Sequence, residues 1–258
     1  MTLLGKLEFS VRRDLVIRAP RELVFTYFTD AERWARWWGK GSTIEGRVGG
    51  ALAIVYPDGS RASGQVLELD APARVVFSYG YEGEGKPIAP GASRVTVTLT
   101  EDPLGTRLDF LHEVADAATR DLHVQGWRYH LAVFATVVGQ DLHGDGSGPI
   151  ERWFTAWNEA DEETRARTLE GLVTADVTFQ DAHSCTRGRD DLAAHVAGAR
   201  RHMAGLTFEL AGPPRQCQGT AVADWIARKP DGSPLAKGTN VFELTCEGRI
   251  ARVVGLWG

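Results

Sequence analysis

Two hydrophobic rhythms run along this chain, one with the period of a strand and one with that of a helix. Residues 12–18 read as an alternating strand. Ala19-Pro20 then starts a helix, with Pro20 pre-set for the first helical position. Val24, Phe25 and Phe28 supply its apolar face, and Asp30 caps a second short helix through Trp37 and Trp38. Strands are predicted over 51–56, 63–69, 74–79, 94–100 and 107–114. They are separated by turn signals at Gly49-Gly50, Pro57-Asp58-Gly59, Asp70-Ala71-Pro72 and Asp102-Pro103-Leu104-Gly105. A long helix over 118–138 closes this half.

The second half opens on helices. Ile150, Trp153, Phe154 and Trp157 repeat at helical spacing over 150–160, and a helix over 164–172 follows. A short strand over 177–181 leads through Gly188 to a helix over 189–203. Strands over 207–210, 219–228, 235–245 and 249–256 finish the pattern, with Pro230-Asp231-Gly232 as a hairpin turn. Between the halves, 140–149 is small, polar and Gly-rich, and 142–149 reads as the linker between domains 1–141 and 150–258. The pattern predicts two α+β domains in tandem, each a curved antiparallel sheet wrapped round helix to enclose an apolar pocket.

Composition narrows the partners. A net charge of −5 is shared by halves that are each slightly acidic: 16 basic against 18 acidic residues up to 143, and 13 against 16 after it. No Lys/Arg stripe is present, so neither nucleic acid nor an anionic membrane is an expected partner. The opening residues carry charge too early for a signal peptide, and no apolar run is long enough for a membrane span. Cys185, Cys217 and Cys246 are odd in number and widely spaced, which argues against a disulfide framework or zinc site and suits a cytoplasmic protein. No cofactor or metal is expected.

Both halves resemble known families. Ala19 to Phe25, Trp34-Ala-Arg-Trp-Trp38, Gly49-Gly50, Gly64 to Asp70 with Pro72, Val95 to Leu99, Gly105 to Leu108 and Gly126-Trp127 resemble the START-like (SRPBCC) superfamily, in the branch related to the activator of Hsp90 ATPase. That resemblance implies a helix-grip fold with a hydrophobic cavity between the sheet and its long helix. Trp153 to Asp161, Asp176 to Asp181, Gly188 to Leu192, Gly238 to Leu244 and Gly248 to Ile250 resemble the NTF2-like superfamily, in the SnoaL-like branch with polyketide cyclases and ketosteroid isomerases. A cone-shaped α+β domain and a homodimer through this C-terminal domain are implied.

In the isomerases of that branch a first-helix Tyr and a late-strand Asp hold an enolate oxygen while an Asp at a strand end moves the proton. The matching positions here are Trp153, Asn240 and Asp181, so only the base is retained. Periodicity places Asp181 with Val177 and Phe179, and Asn240 with Phe242 and Leu244, each the polar member of an apolar stripe. Asp181 is the candidate general base, Asn240 a candidate oxyanion donor and Trp153 a donor through its indole N–H. A turn, a strand amide and a core tryptophan are the plainer readings of the same three. Trp157, Phe179, His183, Trp225 and Phe242 are the candidate lining. Nothing fixes the face of His195 and His202.

In the first half Leu108, Phe110 and His112 share one strand face, so His112 is read as the polar group of that cavity, with Phe110, Trp127 and His130 as further lining. Gly126 in mid-helix suggests a close strand and 81–92 a lid, while the three tryptophans 34, 37 and 38 either line an entrance or, as is commoner for aromatic helix residues, belong to the core. Three functions are weighed: binding a small apolar or aromatic molecule, isomerase or cyclase chemistry on a polyketide- or steroid-like carbonyl compound with Asp181 as base, and service as a chaperone cofactor. Binding is preferred.

Overall fold

The computed structural model describes residues 6–258 and divides the chain into two compact units, residues 1–138 and 139–258. The first five residues, part of the opening read for a leader, lie outside those described. Among the described residues no helix is long and apolar enough to cross a membrane. The three cysteines are free.

The first unit runs β1 (Phe9–Ile17), α1 (Arg21–Thr26), α2 (Ala31–Trp38), β2 (Thr43–Ile44), β3 (Ala51–Val55), β4 (Arg61–Asp70), β5 (Arg74–Tyr81), β6 (Ser93–Asp102), β7 (Gly105–Val114) and α3 (Ala117–His143). Its seven strands lie in the order β1-β7-β6-β5-β4-β3-β2 with every pairing antiparallel. Pro20 occupies the N-cap of α1 with extended backbone, one position before the expected first helical residue. Asp30 caps α2 as predicted, its carboxylate accepting from the Arg33 backbone N–H at 2.9 Å. On β7 residues 106, 108, 110, 112 and 114 are buried while their neighbours are not, the signature of one face against a core.

Of the stretch read as a linker, only Gly144 to Gly146 lies outside helix, because α3 continues to His143 and the next helix starts at Ser147. Gly144 and Gly146 hold φ of 58° and 81°. The left-handed backbone at Gly144 ends α3, its N–H returning to the Gln140 carbonyl at 2.9 Å.

The second unit contains α4 (Ser147–Asn158), α5 (Glu162–Leu172), β8 (Val173–Gln180), β9 (Cys185–Arg187), α6 (Arg189–His202), β10 (Thr207–Leu210), β11 (Arg215–Cys217), β12 (Thr220–Arg228), β13 (Pro234–Leu244) and β14 (Ile250–Trp257). The sheet order is β10-β12-β13-β14-β8-β9, with β11 beside β12. One pairing departs from the expected antiparallel sheet: β14 runs parallel to β8, Val254 opposite Gln180. The intervening chain carries α6 and five further strands, β9 to β13, which lets the two strands point the same way. Ile150, Trp153, Val177, Phe242 and Val253 form the centre of the core, none more than 1% exposed.

Candidate functional site

Asp181 stands one residue beyond β8. Its backbone N–H donates to the Ser184 carbonyl at 2.9 Å, and its Oδ1 accepts from the His183 backbone N–H at 2.8 Å, which turns the chain into β9. The residue therefore fills the turn role that its position suggests, and it also faces a cavity. Asn240, 6% exposed, lies in the middle of β13 on the inward face with Phe242 and Leu244. Gly255 on β14 is its cross-strand partner, and β14 in turn lies beside β8. Asp181, Gly255 and Asn240 thus sit side by side. A Cβ on Gly255 would lie 3.1 Å from Asp181 Cβ and 3.2 Å from Asn240 Oδ1.

Two indoles hold the polar pair. Trp225 donates to Asn240 Oδ1 at 3.1 Å, and Trp257 donates to Asp181 Oδ2 at 3.2 Å. Their rings meet edge to face, 5.1 Å between centroids. From α4, Trp153 and Trp157 pack against Phe179, 5.9 and 5.8 Å between centroids. The result is a cavity of about 250 Å³ whose wall is mostly aromatic.

Trp153, Trp157, Phe179, Asp181, His183, Trp225 and Asn240 all line that cavity. Phe242 lies behind it, fully buried, with its ring 5.9 Å from Trp153. Sequence reasoning missed Phe154, Met203, Phe208, Gly255 and Trp257, which complete the wall. A period-two reading from Val253 through Gly255 to Trp257 would have found the last two. α6 turns His195 and His202 to the same cavity. His195 is packed between Trp157 and Phe179, and its Nδ1 is 3.2 Å from Ser184 Oγ. His183 and His202 are exposed, His183 against the Trp257 ring. Among the described residues no group of three or more His, Cys, Asp and Glu is placed to hold a metal ion.

The candidates of the first unit come together differently. His112 is 0% exposed, and Trp127 donates its indole N–H to His112 Nδ1 at 2.8 Å. An indole can only donate, so Nδ1 is the bare nitrogen and Nε2 carries the hydrogen. That hydrogen goes to Ser93 Oγ at 2.8 Å, and Ser93 passes its own to the Tyr79 carbonyl at 2.8 Å. Burial, with a smaller contribution from His123, holds the His112 pKa down to about 3. Both ring nitrogens are committed within the unit, and Phe110 packs on Trp127 at 4.2 Å. His123, missed from sequence, donates from Nδ1 to the Thr119 carbonyl at 2.7 Å and accepts at Nε2 from the Tyr81 hydroxyl at 3.2 Å.

His130 stacks on Trp38 at 4.7 Å and borders an open cleft of about 530 Å³ with Tyr56, Tyr81, Lys86 and Tyr129. Burial pulls its pKa down to about 4. Behind it Tyr56 and Tyr79 share a hydroxyl–hydroxyl bond of 2.6 Å, and burial raises the pKa of both.

Two expectations for this unit change, and the tryptophans take the commoner of their two readings. Trp34, Trp37 and Trp38 are 0%, 4% and 3% exposed and belong to the core rather than to an entrance. Gly126 faces outward, and a Cβ placed on it would meet nothing within 4 Å, so no strand approaches it. The segment expected to be a lid is tied down. Ile88 is 5% exposed, its carbonyl accepts from the Tyr81 N–H at 2.8 Å, and the Ala89 carbonyl oxygen fills the space that a Gly80 Cβ would need.

Comparison with known proteins agrees with this division. Residues 18–139 match the family described as Activator of Hsp90 ATPase homolog 1-like protein, and residues 150–253 match the SnoaL-like domain. A solved Agrobacterium tumefaciens protein, described provisionally as an isomerase of the SnoaL-like family, is 32% identical over 43% of this chain and 94% of its own, with a TM-score of 0.42. Protein CV1439 from Chromobacterium violaceum is 26% identical over 50% of this chain and 96% of its own, with a TM-score of 0.42. The Aha1 dimer from Colwellia psychrerythraea is 16% identical over 51% of this chain and 96% of its own, with a TM-score of 0.44. No curated protein matches the chain. Each half of the chain thus matches one family model, the Activator of Hsp90 ATPase homolog 1-like family first and the SnoaL-like domain second.

Proposed function

We propose that the second unit binds a small apolar or aromatic molecule in the cavity between α4, α6 and the sheet. The observation that carries this reading is the wall itself: a space of about 250 Å³ bounded by Trp153, Trp157, Phe179, Phe208 and Trp225, with Asp181 and Asn240 together at one corner. An aromatic enclosure with few, converging polar groups is the usual form of a small-molecule site. Native mass spectrometry of the protein purified from cells, with extraction of what it carries, tests the reading. A bound apolar compound lost on Trp153→Ala supports it; a protein that takes up no apolar compound under any condition sinks it.

A second reading has one observation in its favour, namely that Asp181 shares the cavity with the Asn240 amide. Asp181 then acts as general base on a polyketide- or steroid-like carbonyl compound, as an isomerase or cyclase would. Asp181→Ala should abolish turnover of such a compound while leaving the thermal midpoint nearly unchanged. If the substitution chiefly unfolds the unit, the turn role of Asp181 is the whole of its function.

A homodimer through the second unit belongs to the same proposal. Val222, Val241 and Val254 form a cross-strand row on the face of β12, β13 and β14 away from the cavity, all partly exposed, with exposed Leu256 nearby. An apolar row on an open sheet face favours a second sheet against it. Sedimentation equilibrium giving the mass of one chain would refute the dimer.

A further inference from the structure

We propose that Trp225 and Trp257 act as a clamp that fixes the hydrogen-bonding polarity of the cavity's corner, so that its ligand is a flat neutral molecule that carries both an acceptor and a donor, as in a lactam or carboxamide. This rests on the ligand-binding reading of the same cavity and names the chemistry that the cavity selects.

The two polar groups of the corner are set in opposite senses. An indole N–H has no acceptor capacity, so the Asn240 atom that faces Trp225 at 3.1 Å is Oδ1. The amide nitrogen is then turned the other way, in a residue only 6% exposed that lines the cavity. Asn240 Nδ2 makes no hydrogen bond within the described residues, so its hydrogens are offered to whatever enters. Asp181 is arranged as the acceptor: Oδ2 receives the Trp257 indole at 3.2 Å and Oδ1 the His183 backbone N–H at 2.8 Å. Each oxygen keeps a further lone pair.

Trp225 is buried, and Trp257, 40% exposed, packs its ring against it. The two rings lock at 85° with centroids 5.1 Å apart, and Trp225 also meets Phe208 at 5.7 Å. The backbone under Trp225 is Gly238, where a Cβ would fall 2.5 Å from the ring, so the indole lies flush on the strand. Gly255 keeps the space between Asp181 and Asn240 clear, since a side chain there would press on both. The Asn240 atom nearest that space is Oδ1, so donor and acceptor share the cavity wall rather than one gap.

That arrangement discriminates among ligands of one shape. A purely apolar ring leaves the Asn240 N–H groups buried without an acceptor, which is costly. An anionic carboxylate satisfies Asn240 but brings its charge against Asp181. A neutral lactam satisfies both, its carbonyl on Asn240 and its N–H on Asp181.

Isothermal titration of the full chain with 2-quinolinone, naphthalene and 2-naphthoate tests the inference. The expected order is 2-quinolinone tightest, by about tenfold or more over both others. In Asn240→Leu, which is nearly isosteric and has no donor, the preference should vanish while naphthalene binds within about threefold of the original. Trp225→Phe should weaken 2-quinolinone in the same selective way. Equal affinity for 2-quinolinone and naphthalene in the unmodified protein overturns the inference and leaves the cavity reading standing. Failure of all three to bind removes the cavity reading, and this inference with it.

Discussion

Trp127 and His112 are joined by a 2.8 Å hydrogen bond in which the indole donates and the imidazole accepts, and this one contact fixes how a fully buried histidine can titrate. A proton arriving on Nδ1 would have to displace the indole. It would also place charge among Tyr79, Phe110 and Trp127, and beside His123.

The first unit should therefore weaken as the pH falls. His112 titrates near 6.5 when unfolded and at about 3 when folded, so across that window the unfolded chain binds more protons. Stability is complete above about 6.5 and declines as pH drops towards 3. His130, held at about 4, and His123, also lowered, act in the same direction. The effect of His112 alone is on the order of a few kcal/mol at the acid end. Urea midpoints measured between pH 7.5 and 4 should fall steadily, and His112→Gln should flatten the slope. An unchanged slope in that variant removes His112 from the account.

Gly126→Ala should stabilise the first unit. The residue lies on the exposed side of α3 with open space where a Cβ would stand. Nothing offsets the helix-propensity cost of glycine, about 0.5–1 kcal/mol. A raised thermal midpoint is the expected outcome; a lowered one would reveal a neighbour that this face lacks here.

Gly80→Ala should act in the opposite sense. The new methyl group would strike the Ala89 carbonyl, and the segment that carries buried Ile88 would have to lift from Tyr81. The loss should exceed about 2 kcal/mol, in the range of overpacked core sites. Limited proteolysis should show new cleavage within 82–92; an unchanged digest pattern would mean the clash is absorbed elsewhere.

Asp30→Ala removes the N-cap of α2, whose carboxylate accepts from the Arg33 N–H. About 1 kcal/mol should be lost in chemical denaturation, and Asp30→Ser should recover most of it.

Periodicity carried much of this structure. It put Leu108, Phe110 and His112 on one face of a strand and brought Asp181, Asn240 and Trp153 to one cavity, because side-chain direction alternates strictly along a strand. What it could not convey was which polar atoms find each other. The Trp257–Asp181 bond joins residues 76 apart and depends on β14 lying parallel to β8, a pairing with no local signal. His195 was ambiguous for the same reason: a helix face is known only once its neighbour is. Gly126 misled because a glycine in a helix looks alike whether a strand lies against it or nothing does.

The parallel pairing also bears on the order in which the second unit can be made. β14 lies between β13 and β8, so the strand made latest in the unit joins its earliest strand to the rest. Until residues 250–257 leave the ribosome, β8 and β9 have no edge to join, and neither Gly255 nor Trp257 is in place to shape the cavity. Completion of this unit's sheet therefore waits for β14. A chain interrupted before Ile250 would carry β8 and β9 as a separated fragment rather than a shortened domain.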